Sequence, residues 1–305
     1  MCSSDLVADV LRSLVLETPP NVVHGKPLAA LGQLLKAGRI GWALRSLPVA
    51  RQRSVLELFA RSAGDFLDRW FESDPIKAAY GFDGIVGSYA SPYAPGSAYV
   101  LLHHCFGEVN GNKGVWGHAI GGMGAITQAM ARAVTAAGGE IRVGTGVAEV
   151  LVEKGRVAGV VTERGEVVRA RMVVSNLNPK LLFQKLMDPG LLPADFRGRI
   201  DAWKCASGTF RMNVALSELP SFAALPGTQR EEHHTAGIIL APSLKYMEQA
   251  YFDARTAGWS RRPVVEILIP STLDDSLAPP GMHVASLFCQ HVAPTLPNGS
   301  SWDDH

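Results

Sequence analysis

The chain has 305 residues, 47% hydrophobic and 19% charged, with a formal net charge of +1. That length holds one large domain or two, each with a sizeable core, and the near-neutral balance offers no electrostatic argument for nucleic acid. The four cysteines, Cys2, Cys105, Cys205 and Cys289, form no C-x-x-C pair, which argues against a redox-active dithiol or a zinc ribbon and fits a reducing compartment.

No apolar run is long enough to span a bilayer, and the opening Met1 to Leu6 lacks the basic segment and apolar core of a secretory signal. Leu6 to Leu16 carries a short helical pattern through Leu6, Val10, Leu14 and Leu11, closed by Pro19-Pro20. Lys26 to Ala37 and Ile40 to Leu47 repeat it until Pro48. Arg51 to Phe71 reads as one longer helix, with Val55, Leu58, Phe59, Ser62, Phe66, Leu67 and Trp70 aligned. Two readings of this stripe stay open: plain core, or the wall of a tunnel for a lipid-like substrate. Asp74 caps a short helix to Tyr80, with Pro75 in its first turn. Glycines and aromatics then crowd between Gly81 and Tyr99, either as a binding loop or as a solvent-facing connection. His103-His104 and His118 are not read as metal ligands, because no third ligand of useful spacing stands out. Adjacent helical positions also point to different faces.

Gly121, Gly122 and Gly124 punctuate the entry to a helix whose apolar stripe is Ile126, Met130, Ala133, Val134 and Ala137. Gly138-Gly139 stops it. Short strands follow: Glu140 to Val143, Val147 to Val152, Arg156 to Thr162 after a Lys154-Gly155 turn, Glu166 to Arg169, and Met172 to Val174, which ends in Ser175-Asn176. Beyond Pro179, helices are expected at Leu181 to Met187, from Leu191 to about Trp203, and at Leu244 to Ala257. Strands are expected at Thr209 to Leu216, Ile238 to Leu240, Val264 to Ile269 and His283 to His291, giving an α+β part with a mostly antiparallel sheet. His233-His234 reads as solvated loop, and Asp274-Asp275 as a turn cap.

The run from Gly121-Gly122-Met123-Gly124-Ala125 through Gly138-Gly139-Glu140-Ile141, Val147, Gly155-Arg156-Val157 and Val173-Val174-Ser175-Asn176 resembles the middle of the phytoene desaturase-like flavoproteins. The tail, with Arg262 to Ile267, Ile269 to Leu273, Leu277 to Gly281 and Trp302-Asp303, resembles one branch of that family. The resemblance implies a two-domain FAD-binding fold of the amine oxidase/phytoene desaturase-like kind, α/β and α+β. This chain would hold its middle and substrate-domain portions: residues 1–110 and 180–305 in the substrate domain, and 111–179 in the FAD-binding domain.

It further implies noncovalent FAD, with the Val147 backbone meeting the adenine ring and Ser175 and Asn176 ending a strand beside the same ligand. Gly121 and Gly122 would sit at the domain junction, near the flavin or the substrate mouth. For Val147, a buried strand position is the equal alternative. The implied chemistry is hydride removal from an apolar small molecule by flavin, which needs no acid–base triad. Two other readings remain: a non-catalytic lipid- or protein-binding module on the same fold, like the prenyl-protein escort proteins, or a redox-neutral polyene isomerase. A disulfide reductase is excluded, since no thiol pair is present to exchange.

The G-x-G-x-x-G turn that opens such flavoproteins is missing. Gly144-Thr145-Gly146 runs into a strand, and Gly121 to Gly124 has the wrong spacing. The expectation is an internal fragment without either end of its parent, inactive by itself. The parent would be cytoplasmic in a bacterium and mitochondrial in a eukaryote, with peripheral membrane contact or a protein partner compatible with either.

Overall fold

The computed structural model describes residues 8, 11–12, 17–21, 27–205, 208–297 and 299–304. The chain forms two compact units, Met1–Gly122 with Ser207–His305, and Met123–Ala206. In chain order, helices α1 (Pro27–Arg45), α2 (Val49–Ala60), α3 (Ala63–Trp70) and α4 (Asp74–Asp83) precede a small hairpin, β1 (Glu108–Val109) and β2 (Asn112–Lys113). Next come α5 (Gly122–Ala136), β3 (Val147–Glu153), β4 (Arg156–Thr162), β5 (Val167–Arg169) and α6 (Ala194–Ala202). The last elements are β6 (Thr209–Leu216), β7 (Ile238–Leu240), α7 (Leu244–Ala257), β8 (Val264–Leu268) and β9 (His283–Gln290).

The single helix expected over Arg51–Phe71 is two. Ser62 leaves helical geometry at φ −78°, ψ 156°, and its hydroxyl accepts the Asp65 N–H at 3.0 Å. A serine that can satisfy an orphan amide caps a new helix rather than continuing the old one. The expected cap at Asp74 shifts by one residue: Ser73 holds the cap position, and α4 runs on to Asp83. The apolar stripe divides between core and surface. Val55 and Leu58 are buried with Leu11, Ala98 and Leu102, whereas Leu31, Leu34, Leu35, Leu56 and Phe59 are exposed. Of the pattern over Leu6–Leu16, only residues 8, 11 and 12 are described, and Ala8 and Leu11 are buried.

The glycine- and aromatic-rich stretch is neither an open loop nor a solvent-facing connection. Phe82 and Ile85 are fully buried with Leu67, Leu244, Met247 and Val264, and Gly64 donates its N–H to the Pro92 carbonyl at 2.8 Å. Gln290, fully buried on β9, donates Nε2 to the Ile85 carbonyl and accepts the Gly87 N–H. That carboxamide ties the stretch to the sheet, whose order is β6-β9-β8-β7, antiparallel throughout. Helix α7 packs by its spacing: Leu244, Met247, Ala250 and Ala254 are buried, with Ser243 capping one end and Gly258 in the left-handed region at the other.

In the second unit, β3, β4 and β5 form an antiparallel sheet in that order. Lys154 and Gly155, at φ 50° and 73°, make the two-residue turn that matches strand twist. The stretches Glu140–Val143 and Met172–Val174, expected as strands, form none. Val143 and Val174 are 87% and 88% exposed, and β-branched residues do not make a strand without a neighbour to pair with. A π-helical turn, Leu182–Leu186, packs against β3, so residues 180–206 associate with the second unit. The unit bounds at 122/123 and 206/207 thus differ from the segment bounds expected at 110/111 and 179/180. On α5, Ile126, Met130 and Val134 are exposed; its stripe meets no cover among the described residues.

Candidate cofactor-binding site

The glycine corner belongs to the first unit. Gly121 and Gly122 have φ of 83° and 74°, left-handed values that a side chain resists. The Gly121 N–H donates to Asp274 Oδ2 at 2.7 Å, and the Gly122 N–H donates to the Ala119 carbonyl at 2.9 Å. Asp274 is buried and also accepts the Ser276 hydroxyl at 2.6 Å and the Ser276 N–H at 3.1 Å. His118 Nε2 lies 3.7 Å from the same carboxylate. The Ser276 hydroxyl first, then the Gly121 amide, hold the Asp274 carboxyl below its usual range. Asp274 caps a local turn, and it also fixes the backbone 153 residues away. No sequence spacing signals that second role.

Val147 lies in the second unit and is half-buried. It pairs with Thr162, and the flanking bond runs from the Glu163 N–H to the Gly146 carbonyl at 2.9 Å. That pattern defines a widely spaced, non-hydrogen-bonded pair. The N–H and carbonyl of Val147 therefore point away from β4, toward the edge of β3 that carries no strand among the described residues. The register shift between Val147 and Glu149 makes Ala148 the extra residue of a bulge. One residue thus offers a donor and an acceptor side by side on an open edge, the pattern an amino-heterocycle such as adenine complements. Ser175 and Asn176 are exposed, and Ser175 Oγ accepts the Leu177 N–H at 3.2 Å. The Val147 edge fits a dinucleotide's adenine end. Gly121 and Gly122 are placed together, while Val147, Ser175 and Asn176 belong to the other unit.

A titratable cluster escaped sequence reading. His104 Nε2 lies 3.0 Å from Asp83 Oδ1, off the line of a hydrogen bond. The His103 and His104 rings meet at 3.9 Å and Trp116 lies 5.2 Å from His104. The expectation that adjacent histidines diverge fails here: the two rings are in contact, and His104 approaches the Asp83 carboxyl. Burial pushes Asp83 up to about 6 and Glu266 upward, the latter aided by the Asp83 charge, and pushes His104 down. His234 is no solvated loop residue: it is fully buried, with Nδ1 accepting the Glu231 N–H and Nε2 2.9 Å from the Pro220 carbonyl. Among the described residues no group of three or more His, Cys, Asp or Glu could hold a metal.

Residues 29–209 match the family described as flavin containing amine oxidoreductase, and the chain belongs to that family. Within it, the chain is 41% identical over 284 residues to the pyridine nucleotide-disulfide oxidoreductase domain-containing protein 2 of Rattus norvegicus, covering 92% of this chain and 48% of that protein. It is 40% identical over 96 residues to a phytoene desaturase (neurosporene-forming) of Cereibacter sphaeroides, covering 32% of this chain and 18% of that one. An oxidoreductase from Methanosarcina mazei of known crystal structure superposes with a TM-score of 0.53 at 20% identity, over 82% of this chain and 54% of that one. The mixed helix-and-sheet fold is therefore the one the resemblance implied. The chain spans about half the length of the rat relative.

Proposed function

We propose that the protein is an FAD-dependent oxidoreductase that removes hydride from an apolar substrate, and that this chain supplies one side of its flavin site. The observation that carries the reading is the open edge of β3, where the Val147 N–H and carbonyl face outward without a ladder partner. FAD, when bound, supplies the hydride acceptor. The chain's own residues bind and orient: in the second unit Val147 holds the adenine, with Ser175 and Asn176 bordering it, and in the first unit Gly121-Gly122, pinned by Asp274, leave a backbone that a ligand can approach closely. The 305 residues carry no G-x-G-x-x-G turn for a pyrophosphate, so alone they bind FAD weakly and turn nothing over.

The test is absorbance. The protein purified at the length of its relatives should carry flavin bands, or gain them on adding FAD. The 305-residue chain should show no saturable binding at micromolar FAD. A longer protein that neither carries nor takes up flavin sinks the oxidoreductase reading and favours a lipid- or protein-binding module. Tight binding by the short chain sinks the placement of the site.

A further inference from the structure

At the end of the four-stranded sheet, where β6 begins and β9 finishes, lies a cavity of about 660 Å³. Small-molecule sites run from about 300 to 1,000 Å³. Phe210, Trp259, Pro263, Val292, Pro294 and Trp302 form its apolar walls.

The polar groups in those walls are already engaged. The Gln290 carboxamide bonds Ile85 at 3.0 Å and Gly87 at 3.2 Å. Ser260 donates its hydroxyl to Asp253 at 2.9 Å and accepts the Arg262 N–H at 3.0 Å. The Trp302 indole N–H donates to the Ala293 carbonyl at 2.9 Å, and Thr209 is engaged as well. Cys289 is half-buried and contributes a weakly polar thiol. The one ionic side chain in the lining is Asp303, which is exposed.

We propose that this cavity binds an uncharged, apolar small molecule bearing rings or a conjugated segment, stacked against Trp259, Trp302 and Phe210. Aromatic walls reward flat π surfaces, and a charged ligand would leave water without finding a partner. An anion would also meet Asp303. The proposal stands on the cavity walls and not on the flavin reading, and its test contains no flavin, so the two can fail separately.

Two fluorescent probes share one ring system: N-phenyl-1-naphthylamine is neutral and 8-anilinonaphthalene-1-sulfonate is anionic. Titrated into the 305-residue chain, the neutral probe should fill one saturable site with energy transfer from tryptophan. The anion should bind at least about tenfold more weakly. Cys289→Trp fills the cavity, and Phe210→Glu charges its wall at a position already 47% exposed. With folding checked by circular dichroism, each should weaken the neutral probe at least about tenfold. Leu35→Glu, on an exposed face of α1, should change nothing. Equal binding of the two probes by the unaltered chain overturns the proposal, as does unchanged affinity in both folded variants. Loss of binding as protein concentration rises would make the occupant a second copy. Loss of binding in a longer version of the chain would make the occupant a segment of the protein itself. Either result overturns the small-molecule site.

Discussion

Proline at position 147 removes one N–H and leaves the carbonyl in place. In β3 that N–H faces the open edge, so no bond to β4 is lost, and prolines are tolerated on sheet edges. The residue before it is Gly146, which adapts to the restriction proline places on its neighbour. Val147→Pro should therefore leave the fold nearly as stable, while an adenine acceptor facing position 147 loses its donor. An unpaired acceptor costs about 1–3 kcal/mol, which is about 5- to 150-fold in FAD affinity. The assay is flavin content after desalting, with an FAD titration and a urea midpoint, on the protein at the length of its relatives. Val147→Ala keeps the backbone donor and should keep the flavin. A folded Val147→Pro protein with unaltered flavin content refutes the assignment. So would equal losses in Val147→Ala and Val147→Pro, since the side chain and not the backbone would then be responsible.

Gly122→Val places a β-branched residue at φ 74° with its Cβ 3.3 Å from Leu277 Cδ2, a strain of about 1–3 kcal/mol. Flavin or substrate affinity should fall beyond the change in urea midpoint, and unchanged affinity and turnover would reduce the glycine to a helix start. Gly159→Ala, at φ 149°, drives its Cβ into the Val168 carbonyl and should lower the stability of the second unit by about 3 kcal/mol; an unaltered urea midpoint would contradict the register of β4 and β5. Acid titration should reveal two opposed slopes. His291 is buried and pushed down to about 4 by desolvation, so stability is full above about 6.5 and falls by up to about 1.4 kcal/mol per unit as pH drops toward 4. Asp83, pushed up to about 6, holds its proton better folded than unfolded and gains stability as pH falls from about 6 to about 4. His291→Asn, which suits the left-handed φ of 64°, should remove the acid loss and Asp83→Asn the acid gain; parallel urea profiles for the two variants would refute both assignments.

What local period and turn chemistry decide was legible. β6, β7 and α7 have the bounds their spacing predicts, and the Lys154-Gly155 turn sets β4 between residues 156 and 162. The failures share one cause: the outcome depends on a distant partner. Glu140–Val143 has strand residues and no strand beside it, and the α5 stripe has helical spacing and no described cover. Ser62 sits in register with apolar residues, yet the new cap forms because Asp65 is within reach of its hydroxyl.

The candidate site divides along the same line. The glycines at 121 and 122 announce a backbone that leaves the common regions of φ, and it does. What holds it there is a carboxylate from the far end of the chain, chosen by tertiary structure and invisible to spacing. Val147 is legible as a strand residue, but the direction of its N–H is not. With a period of two, one extra residue reverses which groups face the neighbouring strand. Ala148 is that residue: with Ala148 paired in the ladder and not bulged, the pairing seen from Glu149 onward would continue unshifted and Val147 would oppose a different residue. Deleting Ala148 removes the bulge but leaves Val147 opposite Thr162 in the same non-hydrogen-bonded pair, so its N–H still faces the open edge. The deletion variant should match or exceed the urea midpoint of the unaltered protein and keep its flavin. A folded deletion variant that has lost its flavin would mean that the Val147 edge donor is not what holds the adenine.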